Sequence, residues 1–277
     1  MRDHAERLAS ARESLEGLSV GDAIGEALSY RFYEARENCD FSAFRDGTVR
    51  YTDDTEMAIA IVETLSSTRT IEEDLLAWAF GSRFRRDPDR GYGKMARRIL
   101  TEISAGTPWE EVSKNAFGGG SFGNGAAMRV APLGAYFADE IQSIPEIATR
   151  SARVTHYHPE GIAGAIAVAV ATAAALGARS MTPSKAADSV WNATIDLTPE
   201  SSVRRKMIHA KSMGFISNIE AARELGNGAE ISAQDTVPFC IWNACRCLGE
   251  YHEAILSTIE VGGDCDTNSA IVGGIVS

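Results

Sequence analysis

The chain has 277 residues, 44% hydrophobic and 23% charged, a composition typical of a globular protein and not of a disordered or collagen-like one. Its 27 lysines and arginines against 38 aspartates and glutamates give a formal net charge of −11. Because this charge repels phosphates and anionic lipids, we expect no binding to a nucleic-acid backbone or to a membrane surface.

Residues 1–17 are charged throughout and contain no apolar signal region, which predicts a cytoplasmic location. The five cysteines are an odd number at irregular spacing, which favours reduced thiols over disulfides. Cys240, Cys245 and Cys247 lie in an apolar helical pattern without zinc-site spacing. We therefore interpret them as buried core thiols and not as metal ligands.

Helical periodicity recurs along the chain between short Gly, Pro, Ser or Thr breaks, and strand signals are nearly absent. The predicted helices are 5–28, 54–65, 71–85, 93–104, 125–137, 144–154, 159–176, 183–195, 202–212, 216–225, 237–249 and 251–258, with a further helix from about Asp266. Pro145, Pro159, Pro183 and Pro238 are placed at or near a first turn. No linker or repeat period is found, so we predict a single all-α domain over residues 1–277.

Residues 161–178 carry no charge over about the minimum length that spans a membrane. Their apolarity is mostly alanine, which contributes little transfer energy but allows close approach between helices. A central helix that is buried on all sides is therefore favoured over a membrane span.

The glycine-rich segment 118–125, GGGSFGNG, contains a G-x-G-x-x-G pattern with Asp139 at about the dinucleotide-fold distance. The lead-in is polar and helix-like instead of a buried strand, which argues against a Rossmann fold. Such a loop still brings backbone N–H groups close to a phosphate, and the helix predicted after it would favour an anion at its N-terminus. We favour a ligand-binding loop over a flexible turn.

Two acidic clusters stand where a turn becomes a helix: residues 52–55, Thr-Asp-Asp-Thr, and residues 264–267, Asp-Cys-Asp-Thr. Either cluster alone is equally well explained as a helix cap. If the two approach each other, four carboxylates face one site, and their repulsion is relieved by protonation or by divalent cations. Oxygen donors without His or Cys pairs favour Mg²⁺ or Mn²⁺ over zinc, and two ions about 3.5 to 4 Å apart could share such a set.

Residues 155–160, Thr-His-Tyr-His-Pro-Glu, open the helix predicted to be buried. Their histidine pair could supply metal ligands, substrate contacts or polar caps. We favour a substrate contact for His156.

Five segments resemble motifs of the ADP-ribosylglycohydrolase family, and they occur in the same order along the chain. They are 17–28 (GLSVGDAIGEAL), 51–58 (YTDDTEMA), 120–134 (GSFGNGAAMRVAPLG), 155–165 (THYHPEGIAGA) and 262–274 (GGDCDTNSAIVGG). The resemblance implies a single-domain orthogonal multi-helix bundle around a binuclear magnesium site. It also implies hydrolysis at the anomeric carbon of ADP-ribose, which releases ADP-ribose from a modified arginine, serine or small acceptor.

The resemblance assigns roles to particular residues. The implied metal ligands are Thr52, Asp53, Asp54, Asp264, Asp266 and Thr267, with Asp53, Asp54 and Asp266 also orienting or deprotonating water. The implied substrate contacts are Gly120, Ser121, Gly123, Asn124 and His156 around the diphosphate and distal ribose, with Phe122 and, by analogy, Phe117 stacking on adenine.

Three departures from the family pattern qualify these roles. Ser29 stands where many members carry an acid/base or gating glutamate, and Glu26 or Glu34 could substitute for it. Cys265 replaces a common threonine, at a position expected to point away from the ligands. The family usually continues beyond the last motif, so we expect this chain to lack the last C-terminal segment.

Two other functions stay open at this point. One is a noncatalytic ADP-ribose-binding protein, which Ser29 favours but the intact acidic motifs do not. The other is a hydrolase of a related derivative such as ADP-ribose 1″-phosphate. The sequence leaves the acceptor linkage and the oligomeric state undefined.

Overall fold

The computed structural model describes residues 2–29, 49–214 and 216–277, and within these ranges the chain forms helices and turns but no strand. The α-helices are α1 His4–Ser29, α2 Asp53–Thr68, α3 Glu73–Arg86, α4 Lys94–Ser104, α5 Trp109–Asn115, α6 Ala131–Tyr136, α7 Ile144–Arg153, α8 Pro159–Gly177, α9 Pro183–Leu197, α10 Ser202–Ser212, α11 Asn218–Leu225, α12 Ala233–Arg246, α13 Tyr251–Ile259 and α14 Cys265–Val276. Short 3₁₀ helices span Ala116–Gly118, Asn124–Ala126 and Ala138–Ser143. The predicted all-α class is confirmed.

The helix predicted over residues 125–137 is wrong in its first half. A 3₁₀ turn at Asn124–Ala126 is followed by a further turn, and regular helix begins only at Ala131. The backbone N–H of Asn124 donates to the carbonyl of Ile231 at 3.3 Å, and Gly123 forms an isolated bridge with Ser232. This long-range pairing holds the backbone of residues 123–124 outside a continuous helix.

Helix α12 begins one turn earlier than predicted, so Pro238 lies inside it and not at its first turn. Ser232 is the N-cap residue, and the first helical residue is Ala233. By contrast, Pro145, Pro159 and Pro183 occupy the first or second helical position, as predicted.

Helix α8 forms the centre of the core. It packs against α6, α7, α9, α12 and α14, and every residue from Ala163 to Ala175 is buried. Within the described ranges it is the single helix that could span a membrane by length and composition, and 78% of its apolar window is buried inside the protein. The prediction of a buried central helix is confirmed.

The cysteines follow the same logic of burial. Cys240, Cys245, Cys247 and Cys265 are free and buried, as predicted for core thiols. Cys39, the fifth cysteine, lies outside the described residues.

Helices α1 and α14 pack unusually closely because glycines line the contact. Gly17, Gly21 and Gly25 are spaced by four residues and therefore share one face of α1. A Cβ at Gly21 would collide with the carbonyl oxygen of Ser269, and one at Gly25 with that of Cys265. Only glycine allows this approach, which brings the middle of α1 against the start of α14.

Candidate metal and nucleotide site

Three carboxylates from three different helices meet at the junction of α1, α2 and α14. Asp22 directly follows Gly21 on α1. Asp54 lies in the first turn of α2, and Asp266 lies in the first turn of α14. One carboxylate oxygen from each lies within 4.8 Å of the other two. We call this group the carboxylate triad.

Asp22 was not among the predicted site residues, although it lies in segment 17–28, one of the five segments that resemble the family. Its carboxylate is fully buried and accepts hydrogen bonds from Thr52 N at 2.9 Å and Thr55 Oγ1 at 2.5 Å. Thr52 Oγ1 lies 2.9 Å from its other oxygen. Burial raises the pKa of Asp22 to about 6, and the hydrogen bonds from Thr55 and Thr52 oppose that shift. Asp22 thus joins α1 to the start of α2.

The first predicted acidic cluster supplies Asp54 to the triad. Thr52 is the N-cap of α2, and its Oγ1 accepts from Asp54 N at 3.3 Å, so the cap is the threonine and not a carboxylate. Asp54 is 2% exposed. Burial, and then the charge of Asp22, raises the pKa of Asp54 well above its usual value. Burial and then the charge of Asp266 raise the pKa of Asp53 to about 8.

The second predicted cluster reaches the triad from the start of α14. Asp264 precedes the helix but makes no capping hydrogen bond, so the capping alternative does not account for its carboxylate. Burial and then the charge of Asp266 raise the pKa of Asp264 to about 8. Thr267 is buried, and its backbone N–H donates to Asp266 Oδ1 at 2.9 Å. Cys265, between the two aspartates, is buried, and its backbone carbonyl lies against Gly25 of α1.

Glu26 lies one helical turn beyond Asp22 on α1 and is exposed. Partial burial and then the charge of Asp266 raise its pKa, which places the two carboxylates in each other's field. Ser29 ends α1, and its hydroxyl donates to the Glu26 carbonyl oxygen at 2.8 Å. Glu34, the other predicted substitute, lies outside the described residues.

The triad suits a hard divalent cation. Its donors are all oxygens, and carboxylates this close repel each other when they are ionised. Asp54 Oδ1 is buried and has no hydrogen-bond partner within the part of the chain that the structure describes. An unsatisfied buried oxygen among repelling carboxylates is the arrangement that a bound cation would satisfy. The oxygen donors of the triad therefore fit a divalent cation such as the Mg²⁺ that the sequence motifs imply.

The glycine-rich loop lies next to this centre. Asn124 Nδ2 donates to Asp264 Oδ2 at 2.7 Å and to Thr236 Oγ1 at 3.0 Å, so the loop touches the acidic cluster directly. Gly120 has a φ of +90°, and a Cβ there would lie 2.5 Å from the backbone nitrogen of His158. Ser121 Oγ accepts from Gly123 N at 3.2 Å. The loop is held in place against the start of α8 and is not a free turn.

The two predicted histidines have different positions. His156 is buried, its Nδ1 lies 2.8 Å from Thr155 Oγ1, and its ring lies against Gly123 and Gly125 of the loop. Burial, and then the charge of Arg129, lowers the pKa of His156 to about 3, so the ring is neutral. His158 instead caps α8, since its Nδ1 accepts from Glu160 N at 3.1 Å.

Two phenylalanines form an exposed aromatic surface beside the loop. Phe117 is 67% exposed and Phe122 is 44% exposed, and their ring centroids lie 6.5 Å apart. The Phe122 ring also meets His158 edge-on at 5.5 Å. Exposed aromatic faces of this kind suit a flat nucleobase.

The comparisons with known proteins cover nearly the whole chain. The family model described as ADP-ribosylglycohydrolase matches residues 3–277. The human protein named ADP-ribosylhydrolase ARH3 is 28% identical over a 317-residue alignment that covers 98% of this chain and 85% of that protein. An uncharacterized protein of Archaeoglobus fulgidus is 28% identical, with coverage of 95% and 85%. A solved structure titled ADP-ribosylglycohydrolase-related protein complex shares the fold, with a TM-score of 0.63, 21% identity and coverage of 98% and 87%.

Proposed function

The chain belongs to the ADP-ribosylglycohydrolase family and is a hydrolase of glycosidic bonds to ADP-ribose, and from this premise we propose a metal-dependent hydrolysis at the anomeric carbon. The acceptor that leaves is a modified protein side chain, arginine or serine, or a small molecule. One observation supports the proposal: Asn124 of the glycine-rich loop donates a hydrogen bond to Asp264, so the loop lies directly beside the acidic cluster.

We propose that two Mg²⁺ ions, or Mn²⁺ in their place, are held by the triad together with the neighbouring oxygen donors Thr52, Asp53, Asp264 and Thr267. When bound, the cations supply a Lewis acid for water and for ribose hydroxyl groups. The protein's part is to fix the carboxylates: Asp22 is fixed by Thr52 and Thr55, and Asp264 by Asn124.

The proton chemistry is assigned to carboxylates of the same cluster. Cleavage of the glycosidic bond passes through an oxocarbenium-like state. The attacking water must lose a proton, and the leaving group must gain one. We propose that Asp53, Asp54 or Asp266 accepts the proton from water. We propose that Glu26, which is exposed one turn of α1 beyond Asp22, donates a proton to the leaving group.

The nucleotide is proposed to bind along the loop. The loop residues Gly120, Ser121, Gly123 and Asn124 would surround the diphosphate and distal ribose. The neutral His156 ring carries one N–H donor for the same region. Adenine would pack on the exposed Phe122, with Phe117 next to it.

The test is ADP-ribose release, measured by chromatography, from arginine-linked and serine-linked ADP-ribosyl peptides with Mg²⁺ and with EDTA. Asp266→Asn should abolish release, whereas Asp188→Asn, which makes the same change at an exposed position on α9, should not affect it. Metal-dependent release from one peptide would support the proposal and identify the linkage. Absence of release from both peptides, with ADP-ribose still bound in calorimetry, would contradict it and favour a noncatalytic binder or a derivative such as ADP-ribose 1″-phosphate as substrate.

A further inference from the structure

Arg129 is a fully buried arginine in the turn that follows the glycine-rich loop. Its guanidinium carbon lies 4.4 Å from the centre of the Phe80 ring. Nη1 is 3.7 Å from Met57 Sδ, and Nη2 donates to the carbonyl oxygen of Ser151 at 3.1 Å. Nε is buried and has no hydrogen-bond partner among the described residues. The side chain is therefore enclosed by an aromatic ring, a thioether and a single carbonyl.

This enclosure does not explain why the position carries a charge. No carboxylate among the described residues lies within 4 Å of the guanidinium to form an ion pair. Buried cations are usually paired, because an unpaired one loses hydration without full compensation. An apolar side chain would fit between Phe80 and Met57 without that cost. The charge of Arg129 is thus unexplained by local packing.

The guanidinium lies close to the acidic half of the site, and Arg129 directly follows the glycine-rich loop in the chain. Met57 follows Asp53 by one turn of α2, about 6 Å along the helix axis, so the guanidinium lies behind the acidic cluster. On the loop side, the charge of Arg129 is, after burial, the second cause that lowers the pKa of His156, whose ring lies against Gly123 and Gly125. One buried cation therefore faces both the acidic cluster and the loop side.

We propose that Arg129 acts as a fixed buried cation behind the acidic cluster, which strengthens binding of the anionic diphosphate and weakens binding of divalent cations to the carboxylates. This inference rests on the proposed function, because it takes the diphosphate to lie by the loop and His156. Burial lowers the pKa of Arg129 to about 9, so the guanidinium remains a cation at neutral pH. A charge in a low-dielectric interior acts over longer distances than one in water, and contact with the ligand is not required.

The two effects have opposite signs, which separates this role from a structural one. Removal of a positive charge should weaken the binding of an anion and tighten the binding of a cation at the same site. A variant that merely distorts the pocket should weaken both. Two affinities measured on one variant therefore decide between the alternatives.

The experiment compares wild type with Arg129→Met by isothermal titration calorimetry at pH 7, first with Mg²⁺ alone and then with ADP-ribose at saturating Mg²⁺. We expect the Kd for ADP-ribose to rise about tenfold and the Kd for Mg²⁺ to fall severalfold, the size of effect of one unit charge at intermediate range. Met57→Leu is the matched control, because it changes the same enclosure without changing charge, and both of its affinities should stay close to wild type.

Weakening of both affinities, or no change in either, would overturn the proposal. If Arg129→Met shows no cooperative unfolding transition, Arg129→Gln, which keeps a donor for the Ser151 carbonyl, decides in its place by the same two titrations. If wild type itself does not bind ADP-ribose, the proposed function fails, and the Mg²⁺ titration alone still decides whether Arg129 opposes cation binding.

Discussion

The two halves of the candidate site are built in different ways. The acidic half comes from helix ends and a helix middle that are held together by glycine contacts too close for any other residue. The nucleotide half comes from a loop with exposed aromatic rings, and it touches the acidic half through Asn124. Groups that must be placed to within a fraction of an ångström thus lie on rigid elements, whereas groups that provide contact area lie on a loop.

Asp22→Asn should break the acidic half most severely. The amide can no longer accept at both oxygens the hydrogen bonds from Thr52 and Thr55, and it removes one charge from the triad. We expect turnover to fall about a thousandfold, since acid/base and metal contributions are lost together. ADP-ribose release is the measurement, with the exposed Asp188→Asn as control. A near-normal rate with normal EDTA sensitivity would exclude Asp22 from the site.

Gly21→Ala should disrupt the acidic half through the contact between α1 and α14. The added methyl would meet the backbone carbonyl of Ser269, which cannot rotate away, so α1 and α14 must separate. We expect a loss of about 3 kcal/mol in the free energy of unfolding, at the upper end for overpacking, because backbone lies on both sides. Urea unfolding measures it. Gly177→Ala is the matched control, because a Cβ at Gly177 meets nothing within 4 Å. Equal stability of the two variants would contradict the close contact.

The acidic half also illustrates which parts of the site could be predicted from sequence. The two Asp clusters were evident because each stands at a helix start, and their ordered motifs identified the family. Asp22 was missed as a site residue because it sits within an ordinary helical pattern, and burial of an aspartate is not visible locally. The spacing of Gly17, Gly21 and Gly25 was the available signal, since a glycine face predicts close helix contact.

The structure of the loop half was harder to predict than that of the acidic half. Its ligand-binding role, inferred from glycine content and from its position in the motif order, stays a prediction. The helix predicted to start at residue 125 failed because Gly123 and Asn124 pair with residues more than a hundred positions later in the chain. Local periodicity carries no information about such partners. The helices that depend on local apolar periodicity, such as α8, were placed to within a few residues.

The pH dependence of the melting temperature should differ between the cation-free protein and the protein with cations bound to the acidic half. Burial raises the pKa of Asp22 to about 6 and those of Asp53 and Asp264 to about 8, above the unfolded value of about 3.9. Their contribution to stability is therefore complete below about pH 4 and is lost as the pH rises through about 6 to 8. The melting temperature in EDTA should fall over this range.

Saturating Mg²⁺ should remove most of that fall, because a bound cation stabilises the ionised carboxylates. At pH 7, Mg²⁺ binding should release about two protons, from Asp53 and Asp264, a quantity that calorimetry in buffers of different ionisation enthalpy measures. A melting temperature in EDTA that rises steadily from pH 5 to pH 8 would show that the carboxylates are already ionised in the metal-free protein.

Phe122→Ala should affect only the nucleotide half, and by the smallest amount. An exposed ring that stacks on a base contributes about 1 to 2 kcal/mol to binding, so the Kd for ADP-ribose should rise about tenfold while kcat stays near wild type. Trp78→Ala is the matched control, since Trp78 is 65% exposed on α3 and its loss should not change the Kd. The Mg²⁺ affinity should be equal in all three proteins. If Phe122→Ala lowered kcat by orders of magnitude instead, the loop would be shaping the acidic half through Asn124, and the division between a rigid chemical half and a binding half would not hold.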